Sequence, residues 1–551
     1  MNKRRVVLVT IHIERGAEAV PLGSACVASA LKAAFATDAA GSLDVSIVEA
    51  FQDQNSAELS KKIRAAAPDL VGFSLYSWNR DLAIQTAREL RGSPSTSGVS
   101  APSRNPVPLL FCGGPEVTAS EQGLRTSDGG PFDVVFTGEG ETSVVQWVRD
   151  PQNLPPPFPA SVELSKLPSP WLDGTLDPHG REGVLWELSR GCPYGCTYCY
   201  ESKGDQRVRS ISEERMLGEL DLFVRSRVPS VFVLDPTFNA DKKRAHRILD
   251  LLLDKAPQIH WHFEVRAESL DREMARKFAA LGASLQIGLQ TADRQVSLAV
   301  GRPLDRGRFA SRIDLLNQEG AVFGLDLIYG LPGDTLAGYR ESLNFALSLY
   351  PNNLDLFRLA VLPGTILAEQ GRDRGLIALS HPPYLVQSTP TFSASDLTKA
   401  ERLSRATDRF YNQGRAVGWF NQVLHPLKLR PSVFLEGFAD FLDRNRAWDR
   451  LPTPQDPVAL ERLQLAYVDE RYEKAKLDYL LPAVWDIVRF HGAWARALAE
   501  GIATDIEFNY DWRDVTGEAA LDLEEFVSLA EFSPGRYRLR PSGGDVEVVR
   551  L

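Results

Sequence analysis

Residues 189–202 read SRGCPYGCTYCYES and place Cys192, Cys196 and Cys199 within eight positions of a chain that has five cysteines. Pro193 and Gly195 favour a loop, which would let the three thiols face one centre. A structural zinc site usually has four ligands, so it would need a distant His or carboxylate as well. An iron–sulfur cluster bound by three thiolates leaves one iron open for a small molecule. The stretch therefore predicts a metal cluster, with zinc as the alternative.

The composition indicates a folded protein of ordinary character. The chain has 551 residues, 44% of them hydrophobic and 24% charged, which predicts two or three domains. Its net charge of −10 disfavours a nucleic-acid partner. No apolar run approaches the roughly 20 residues that a membrane span needs, and we interpret the start, MNKRRVVLVTIHIERG, as a first strand rather than a signal peptide. Five cysteines, three of them crowded together, make a poor disulfide framework and predict a cytoplasmic protein.

Short apolar runs alternate with helical stretches over residues 1–150. The predicted strands are VVLVTIHI, LDVSIVEAF, LVGFSLYSW, VPLLFCGG and FDVVFTG. Such alternation predicts a Rossmann-like α/β domain with ligands at the carboxyl ends of parallel strands. The Ser/Pro/Gly-rich residues 92–106 are predicted to be an exposed insertion loop, and the proline-rich residues 151–180 a linker.

A second α/β series occupies residues 181–384. Six strand-like segments, at 184–189, 230–235, 260–266, 284–290, 321–330 and 354–362, are separated by helical stretches. They predict a partial (β/α)6 barrel with its chemistry at the strand carboxyl ends. Residues 385–551 are predicted to form a mostly helical C-terminal domain with a short β-rich tail.

The spacing Cys-x3-Cys-x2-Cys after the first strand of an α/β barrel resembles the radical S-adenosylmethionine (SAM) superfamily. The resemblance implies a [4Fe-4S] cluster held by Cys192, Cys196 and Cys199, with SAM on the open iron. Electron transfer then cleaves SAM to a 5′-deoxyadenosyl radical. It also implies an external electron donor such as flavodoxin or ferredoxin.

The later strand ends are similar to the SAM-binding side of that superfamily. The residues that the resemblance assigns to SAM are Tyr198, Asp235, Thr237, Asn239, Glu264, Arg266 and Gln290. Tyr198 would lie against the adenine. Asp235, Thr237 and Asn239 stand where relatives contact the SAM amino group, although the family's common Gly-Gly-Glu is absent. Glu264 and Arg266 suit ribose hydroxyls and a carboxylate, with a surface ion pair as the alternative.

The first domain resembles the cobalamin-binding domain that precedes the barrel in one large radical SAM subfamily. The resemblance rests on PLG, GGPEVT and GEGE turns, and it assigns cobalamin to Pro21, Leu22, Gly23, Ser74, Tyr76, Trp78, Gly113, Gly114, Pro115, Glu116, Thr118, Gly138, Glu139 and Gly140. Many cobalamin proteins place a cobalt-binding His in Asp-x-His-x-x-Gly. Here TIHIERG has His12 without the Asp or the spacing, so we interpret His12 as a turn residue.

The stretches LPSPWLDG, TFNADKKRA and HPPYLV are similar to cobalamin-binding radical SAM proteins with a DUF4080-type carboxyl-terminal region. The resemblance implies cobalamin-dependent methylation of an unactivated carbon in a small molecule or peptide. The alternatives are rearrangement, oxidation, cyclisation or aminocarboxypropyl transfer without methylation, and a non-catalytic cobalamin or redox sensor. A methylthiotransferase is disfavoured because only Cys26 and Cys112 remain, too few for a second cluster.

Overall fold

A computed structural model describes residues 4–36, 43–92, 107–154, 156, 161–202, 206–448 and 456–551. The predicted insertion loop at 92–106 lies, apart from residue 92, outside the described residues. Within the described ranges, no helix has both the length and the apolar character to cross a membrane.

The first α/β series forms a five-stranded parallel sheet in the order β2-β1-β3-β4-β5. The strands are β1 Arg4–His12, β2 Leu43–Phe51, β3 Leu70–Ser74, β4 Leu109–Gly113 and β5 Val134–Val135, and the helices are α1 Leu22–Phe35, α2 Ser56–Ala65, α3 Arg80–Arg91, α4 Pro115–Ala119 and α5 Gly140–Arg149. Residues 6–12 of β1 are buried on both faces, as a central parallel strand covered by helices should be. The predicted doubly wound α/β fold is confirmed, with the turns after β3, β4 and β5 at one edge of the sheet.

The second series forms a six-stranded parallel sheet in the order β13-β12-β11-β10-β9-β6. Its elements and the short pairs beside it are β6 Val184–Trp186, β7 Ser189–Arg190, β8 Arg209–Ser210, α6 Glu213–Arg225, β9 Ser230–Val233, α7 Lys242–Lys255, β10 His260–Val265, α8 Arg272–Ala280, β11 Ser284–Gln290, α9 Arg294–Ala299, α10 Arg306–Glu319, β12 Val322–Tyr329, α11 Leu336–Leu347, β13 Asn353–Arg358, α12 Ile366–Gly371, β14 Ile377–Ala378 and β15 Val386–Ser388. All six predicted segments contribute a strand. The sheet ends at β13 and β6 without pairing them, so the barrel is partial.

The predicted linker is not a solvated spacer where the structure describes it. Trp171 and Leu176 are 3% exposed and belong to the core of the barrel domain. The Ser169 hydroxyl donates to Glu219 on α6 over 2.5 Å, and Ser29 on α1 donates to Asp173. The segment therefore docks on both domains, because its apolar residues are enough to anchor a proline-rich backbone.

The rest of the chain is mostly helical, as predicted. Its elements are α13 Ala394–Thr407, α14 Phe420–Leu424, α15 Pro431–Arg444, α16 Pro457–Ala475, α17 Leu481–Glu500, β16 Thr504–Phe508, α18 Trp512–Val515, α19 Leu523–Leu529, β17 Gly535–Ser542 and β18 Asp545–Arg550. The Asn412 side chain accepts from the amide of Leu354 and donates to its carbonyl, both at 3.0 Å. This region thus covers the outer edge of β13, and it shares one continuous core with the barrel.

Candidate active site

The three clustered cysteines lie on a loop that is held at both ends. Strands β7 and β8 pair antiparallel, with Arg190 opposite Arg209, and so close the loop between them. In its middle, the amide of Thr197 donates to the carbonyl of Val300 over 3.0 Å. Gly301 adopts a φ of +70°, and a Cβ there would lie 2.4 Å from the carbonyl oxygen of Gly195. The segment after α9 therefore packs directly against the cysteine loop.

The three thiols face different neighbours. Cys196 is 7% exposed, and Arg302 Nη1 lies 3.9 Å from its Sγ. Cys192 Sγ lies 3.9 Å from the hydroxyl oxygen of Thr237. Burial raises the pKa of Cys199 to about 11, and the nearby Cys196 and Cys192 thiols add to that increase. None of the five cysteines forms a disulfide.

The thiols do not converge on a single ion. Among the described residues, no group of three or more His, Cys, Asp or Glu side chains is placed to hold one metal ion. A polynuclear cluster makes a different demand, because each thiolate binds its own iron. The three thiols are therefore candidate ligands of a cluster.

Two of the predicted SAM-binding side chains are hydrogen-bonded by the protein itself. Asp235 is 1% exposed, and its carboxylate accepts from the amides of Leu188 and Ser189, the hydroxyl of Ser189 and the guanidinium of Arg244, all within 3.0 Å. Asn239 is fully buried, and its amide bonds both the backbone N–H and the carbonyl of Arg266 at 2.9 Å. Both side chains are saturated by the protein, so neither presents a polar atom to a ligand.

The other predicted SAM residues surround the mouth of the barrel. Trp261, Phe263 and Val265 of β10 are buried, so Glu264 faces the barrel interior and remains in contact with solvent. Burial by surrounding protein, together with the charges of Asp326 and Glu201, raises the pKa of Glu264 to about 7.

Arg266 and Gln290 lie at the ends of the neighbouring strands β10 and β11. The Arg266 guanidinium lies 3.8 Å from the ring centroid of Tyr194, inside the cysteine loop. Gln290 has a φ of +67° at a register shift of β11, and its side-chain oxygen is buried without a hydrogen-bond partner. A buried, unsatisfied acceptor at a strand carboxyl end is a feature that a donor on a ligand would satisfy. Tyr198 is largely buried beside Arg302 and Cys196, and this burial raises its pKa.

A cavity of about 860 Å³ lies between the first domain and the barrel. Ten of the predicted cobalamin-binding residues line it: Gly23, Ser74, Tyr76, Gly113, Gly114, Pro115, Thr118, Gly138, Glu139 and Gly140. They come from the turns after β3, β4 and β5 and from the start of α1, which meet at the carboxyl edge of the parallel sheet. The GGPEVT and GEGE turns are joined directly, since the amide of Gly138 donates to the hydroxyl of Thr118 over 2.9 Å.

Four predicted residues do not line the cavity: Pro21, Leu22, Trp78 and Glu116. Pro21 and Leu22 are buried at the beginning of α1. Trp78 is 42% exposed and stacks on Tyr76, with ring centroids 4.3 Å apart. Trp78 therefore supports the ring of Tyr76, which lines the cavity, but Trp78 itself does not line it.

Glu116 is turned toward other parts of the protein. It is 5% exposed and accepts from Arg80 over 3.3 Å and from the hydroxyl of Tyr384, which belongs to the HPPYLV stretch. His12 also lies outside the cavity lining. It is 9% exposed and its Nε2 lies 3.0 Å from a carboxylate oxygen of Glu49.

Sequence reasoning missed two groups of lining residues. The first extends into the domain, where Leu8, Gly72 and Phe111 line a deep apolar end of the cavity. Gly72 in a buried strand was the available signal, because glycine in a strand often marks a close approach by a ligand or backbone. The second group comes from the barrel domain and includes Arg190 and Arg209, which only the tertiary structure brings to this wall.

Two family models match the chain. The B12 binding domain model matches residues 8–148, and the Radical SAM superfamily model matches residues 186–346. The cobalamin-dependent radical SAM methyltransferase TokK of Streptomyces tokunonensis is 25% identical over 345 residues, which are 54% of this chain and 48% of that protein. The chain thus spans about half the length of that relative.

An uncharacterized methyltransferase of Pyrococcus horikoshii is 23% identical over 423 residues, covering 72% of this chain and 88% of that protein. Among solved structures, the cobalamin-dependent S-adenosylmethionine radical enzyme OxsB, with aqua-cobalamin and S-adenosylmethionine bound, is similar with a TM-score of 0.55. The match covers 86% of this chain and 80% of OxsB at 14% identity, which shows a shared fold.

Proposed function

Because a B12 binding domain precedes a radical SAM domain in this chain, we propose that the protein is a cobalamin-dependent radical SAM enzyme that methylates a small molecule or a peptide. The carrying observation is the cavity of about 860 Å³, whose walls include both the turns of the first domain and residues beside the three cysteines. A site shared in this way brings two cofactors within reach of one substrate. The relatives named as methyltransferases favour methyl transfer as the reaction.

In this proposal Cys192, Cys196 and Cys199 hold a [4Fe-4S] cluster, and the fit rests on their grouping in one loop beside the half-buried guanidinium of Arg302. Arg302 is half-buried, and the nearby Tyr198 and Cys196 groups raise its pKa although desolvation opposes its charge. A permanent positive charge 3.9 Å from a ligand sulfur favours the thiolate that binds iron. When bound, the cluster supplies the electron that cleaves SAM to a radical, and cobalamin carries the methyl group.

The protein's own groups bind and orient SAM. The unsatisfied oxygen of Gln290 accepts from a ligand N–H or O–H, and Glu264 takes a ribose hydroxyl as its partner. Arg266, fixed by Tyr194 and by Glu268 at 3.4 Å, supplies a guanidinium for a carboxylate. Three other residues act indirectly. Asp235 fixes the backbone at Leu188, and Asn239 fixes the backbone at Arg266. Thr237 packs beside Cys192.

Cobalamin occupies the cavity between the domains. The glycines of the GGPEVT and GEGE turns allow the backbone to approach the corrin closely, while Ser74 and Thr118 supply hydroxyl groups. The apolar end beside Leu8 and Phe111 excludes water from the rest of the cofactor. Tyr76, supported by Trp78, presents an aromatic face to the cavity.

The test is a product balance with labelled SAM. Reconstituted protein with hydroxocobalamin, a reduced flavodoxin or ferredoxin and cell extract is expected to release S-adenosylhomocysteine and 5′-deoxyadenosine together and to transfer labelled methyl to one extract component. 5′-Deoxyadenosine without S-adenosylhomocysteine would instead favour a rearrangement, oxidation or cyclisation. A protein that binds cobalamin and cluster but cleaves no SAM would be a sensor. Failure to bind cobalamin would overturn the proposal altogether.

A further inference from the structure

The GEGE turn is joined to the cysteine loop by half-buried ion pairs. Arg190 Nη2 lies 2.7 Å from Glu141 Oε1, and Arg209 Nη2 lies 2.8 Å from Glu139 Oε1. A third contact of 3.5 Å joins Arg190 to Glu139. The four side chains are between 5% and 24% exposed. We name these four residues, two from each domain, the interdomain clasp.

The clasp holds both ends of the cysteine loop. Arg190 and Arg209 are opposite one another in the β7–β8 pair, which closes the segment that carries the three thiols. Arg209 makes two bonds to Glu139, at 2.8 and 3.0 Å, and Arg190 makes two to Glu187, at 2.7 and 2.9 Å. Paired guanidinium–carboxylate bonds fix orientation as well as distance. The base of the loop is therefore oriented by the first domain and by the strand that enters it.

The same clasp forms part of the cavity wall. Glu139, Glu141, Arg190 and Arg209 all line the cavity, as does Tyr200, one residue after the last clustered cysteine. The GEGE turn cannot move independently of its neighbour, because Gly138 is bonded to Thr118. A ligand that fills the cavity therefore presses on elements that also position the cysteine loop.

Ion pairs of this kind form a rigid connection. Charges that are largely removed from water are costly to separate, so partners shielded in this way stay together. Another contact of the first domain, the bond from Ser29 on α1 to Asp173 in the segment 151–180, involves no residue that lines the cavity. The clasp, by contrast, joins the cavity wall to both ends of the loop.

We propose that Arg190 is a positioning residue through which cobalamin and the iron–sulfur cluster bind cooperatively. The inference rests on the proposed function, since it concerns the two cofactors named there. A ligand in the cavity restricts the motion of the GEGE turn, and the clasp extends that restriction to the cysteine loop. The loop then loses less conformational entropy when the cluster assembles. By thermodynamic reciprocity, a bound cluster tightens cobalamin binding by the same factor.

The experiment measures the Kd of hydroxocobalamin for cluster-free and for cluster-reconstituted full-length protein. For the wild type we expect binding about fivefold or more tighter with the cluster present, the lower end of measured couplings. In Arg190→Gln the two Kd values should become equal, while Arg190→Lys keeps the charge without the fork and should restore part of the ratio. Asp173→Asn is the matched control, since it weakens a contact of the first domain with the segment 151–180, outside the clasp, and should leave the ratio unchanged.

A second variant and a measurement of iron loss test the coupling independently of Arg190→Gln. Glu141→Gln attacks the clasp from the other domain, so it replaces Arg190→Gln if that variant does not fold. Iron loss to a chelator, followed by the visible absorption of the cluster, should slow when hydroxocobalamin is added to the wild type but not when it is added to Glu141→Gln. Equal Kd values in the wild type, or an unchanged ratio in both variants, would overturn the coupling and leave the proposed function standing. A wild type that binds no cobalamin at all would overturn both.

Discussion

Replacing Asp235 tests whether this residue supports the cysteine loop or contacts SAM. Its Oδ1 accepts from the amides of Leu188 and Ser189, and its Oδ2 accepts from the Ser189 hydroxyl and from Arg244. Asp235→Asn keeps an oxygen for the two amides but loses the charge that balances Arg244. Asp235→Ala loses every one of these bonds.

The expected effect is large because the ion pair is buried. The side chains of Asp235 and Arg244 are 0% and 16% exposed. Removing one partner of a buried pair costs about 3–5 kcal/mol. At about 1.4 kcal/mol for each factor of ten, the lower figure corresponds to roughly a 100-fold increase in local opening. Asp235→Ala should exceed this value, because two backbone donors also lose their acceptor.

Hydrogen exchange of the apo protein measures this opening directly, on peptides that contain Leu188 and Ser189. We expect their exchange to accelerate by about two orders of magnitude in Asp235→Asn. Cluster loading should fall together with SAM affinity. Asp241→Asn is the matched control: Asp241 caps α7 through its side chain, and Asn is an equally good cap. Unchanged exchange combined with a selective loss of SAM affinity would show that Asp235 contacts SAM and would refute the structural role.

Three further predictions concern the cavity, the cysteine loop and a buried acid. A Cβ at Gly72 would lie 2.3 Å from Phe111 Cζ, so Gly72→Ala should push the ring into the cavity and weaken hydroxocobalamin binding about tenfold, at an overpacking cost of about 1–3 kcal/mol. Gly301→Ala should displace the carbonyl of Gly195 and lower iron content per chain after reconstitution. Burial raises the pKa of Asp334 from 3.8 to about 7, so the folded state holds this proton more tightly than the unfolded state. The folded state therefore loses stability as the pH rises between those two values. Asp334→Asn should raise Tm relative to the wild type at about pH 8 but not at about pH 4, by the equivalent of up to about 4 kcal/mol.

Each of these has a control within the chain. Gly16→Ala adds the same methyl group where nothing lies within 4 Å, so cobalamin binding should not change. Gly320→Ala adopts a similar positive φ of +74° without a neighbour to displace, so it separates backbone strain from collision with the cysteine loop. Normal iron content in Gly301→Ala would contradict the contact with Gly195. A Tm difference independent of pH would contradict the assignment to Asp334.

The sequence was a good guide to the fold because both sheets are parallel. Buried parallel strands appear as continuous apolar runs separated by helices, and each of the six barrel segments formed a strand. The predicted segment at 184–189 nevertheless divides into β6 and β7, since the chain leaves the sheet after Trp186 to pair with residues 209–210. That pairing spans the cysteine loop and has no local signal in the sequence.

The site was predictable where it depends on turns and less so where it depends on side-chain partners. Turns after parallel strands meet at one edge, so Gly113 and Gly138 were predicted to line one cavity and they do. Asp235 is an acidic residue at the end of a strand, as many ligand-binding residues are. Four donors of the protein nevertheless saturate its carboxylate. No motif in the sequence predicted a role for Arg190. Which polar groups find partners is decided by tertiary contacts, and a single sequence does not specify them.

The bond between Tyr384 and Glu116 has a consequence for how the protein is made. The two residues are 268 positions apart. At about 5–20 residues per second, residue 384 follows residue 116 out of the ribosome by on the order of 10 to 50 seconds. During that interval the nascent first domain has Arg80 beside Glu116 but not the hydroxyl that completes its surroundings. In the first part of the interval it also lacks Arg190 and Arg209, which the GEGE turn later meets. The cavity between the domains is itself completed only after most of the barrel has been translated, because its lining extends to Gly364.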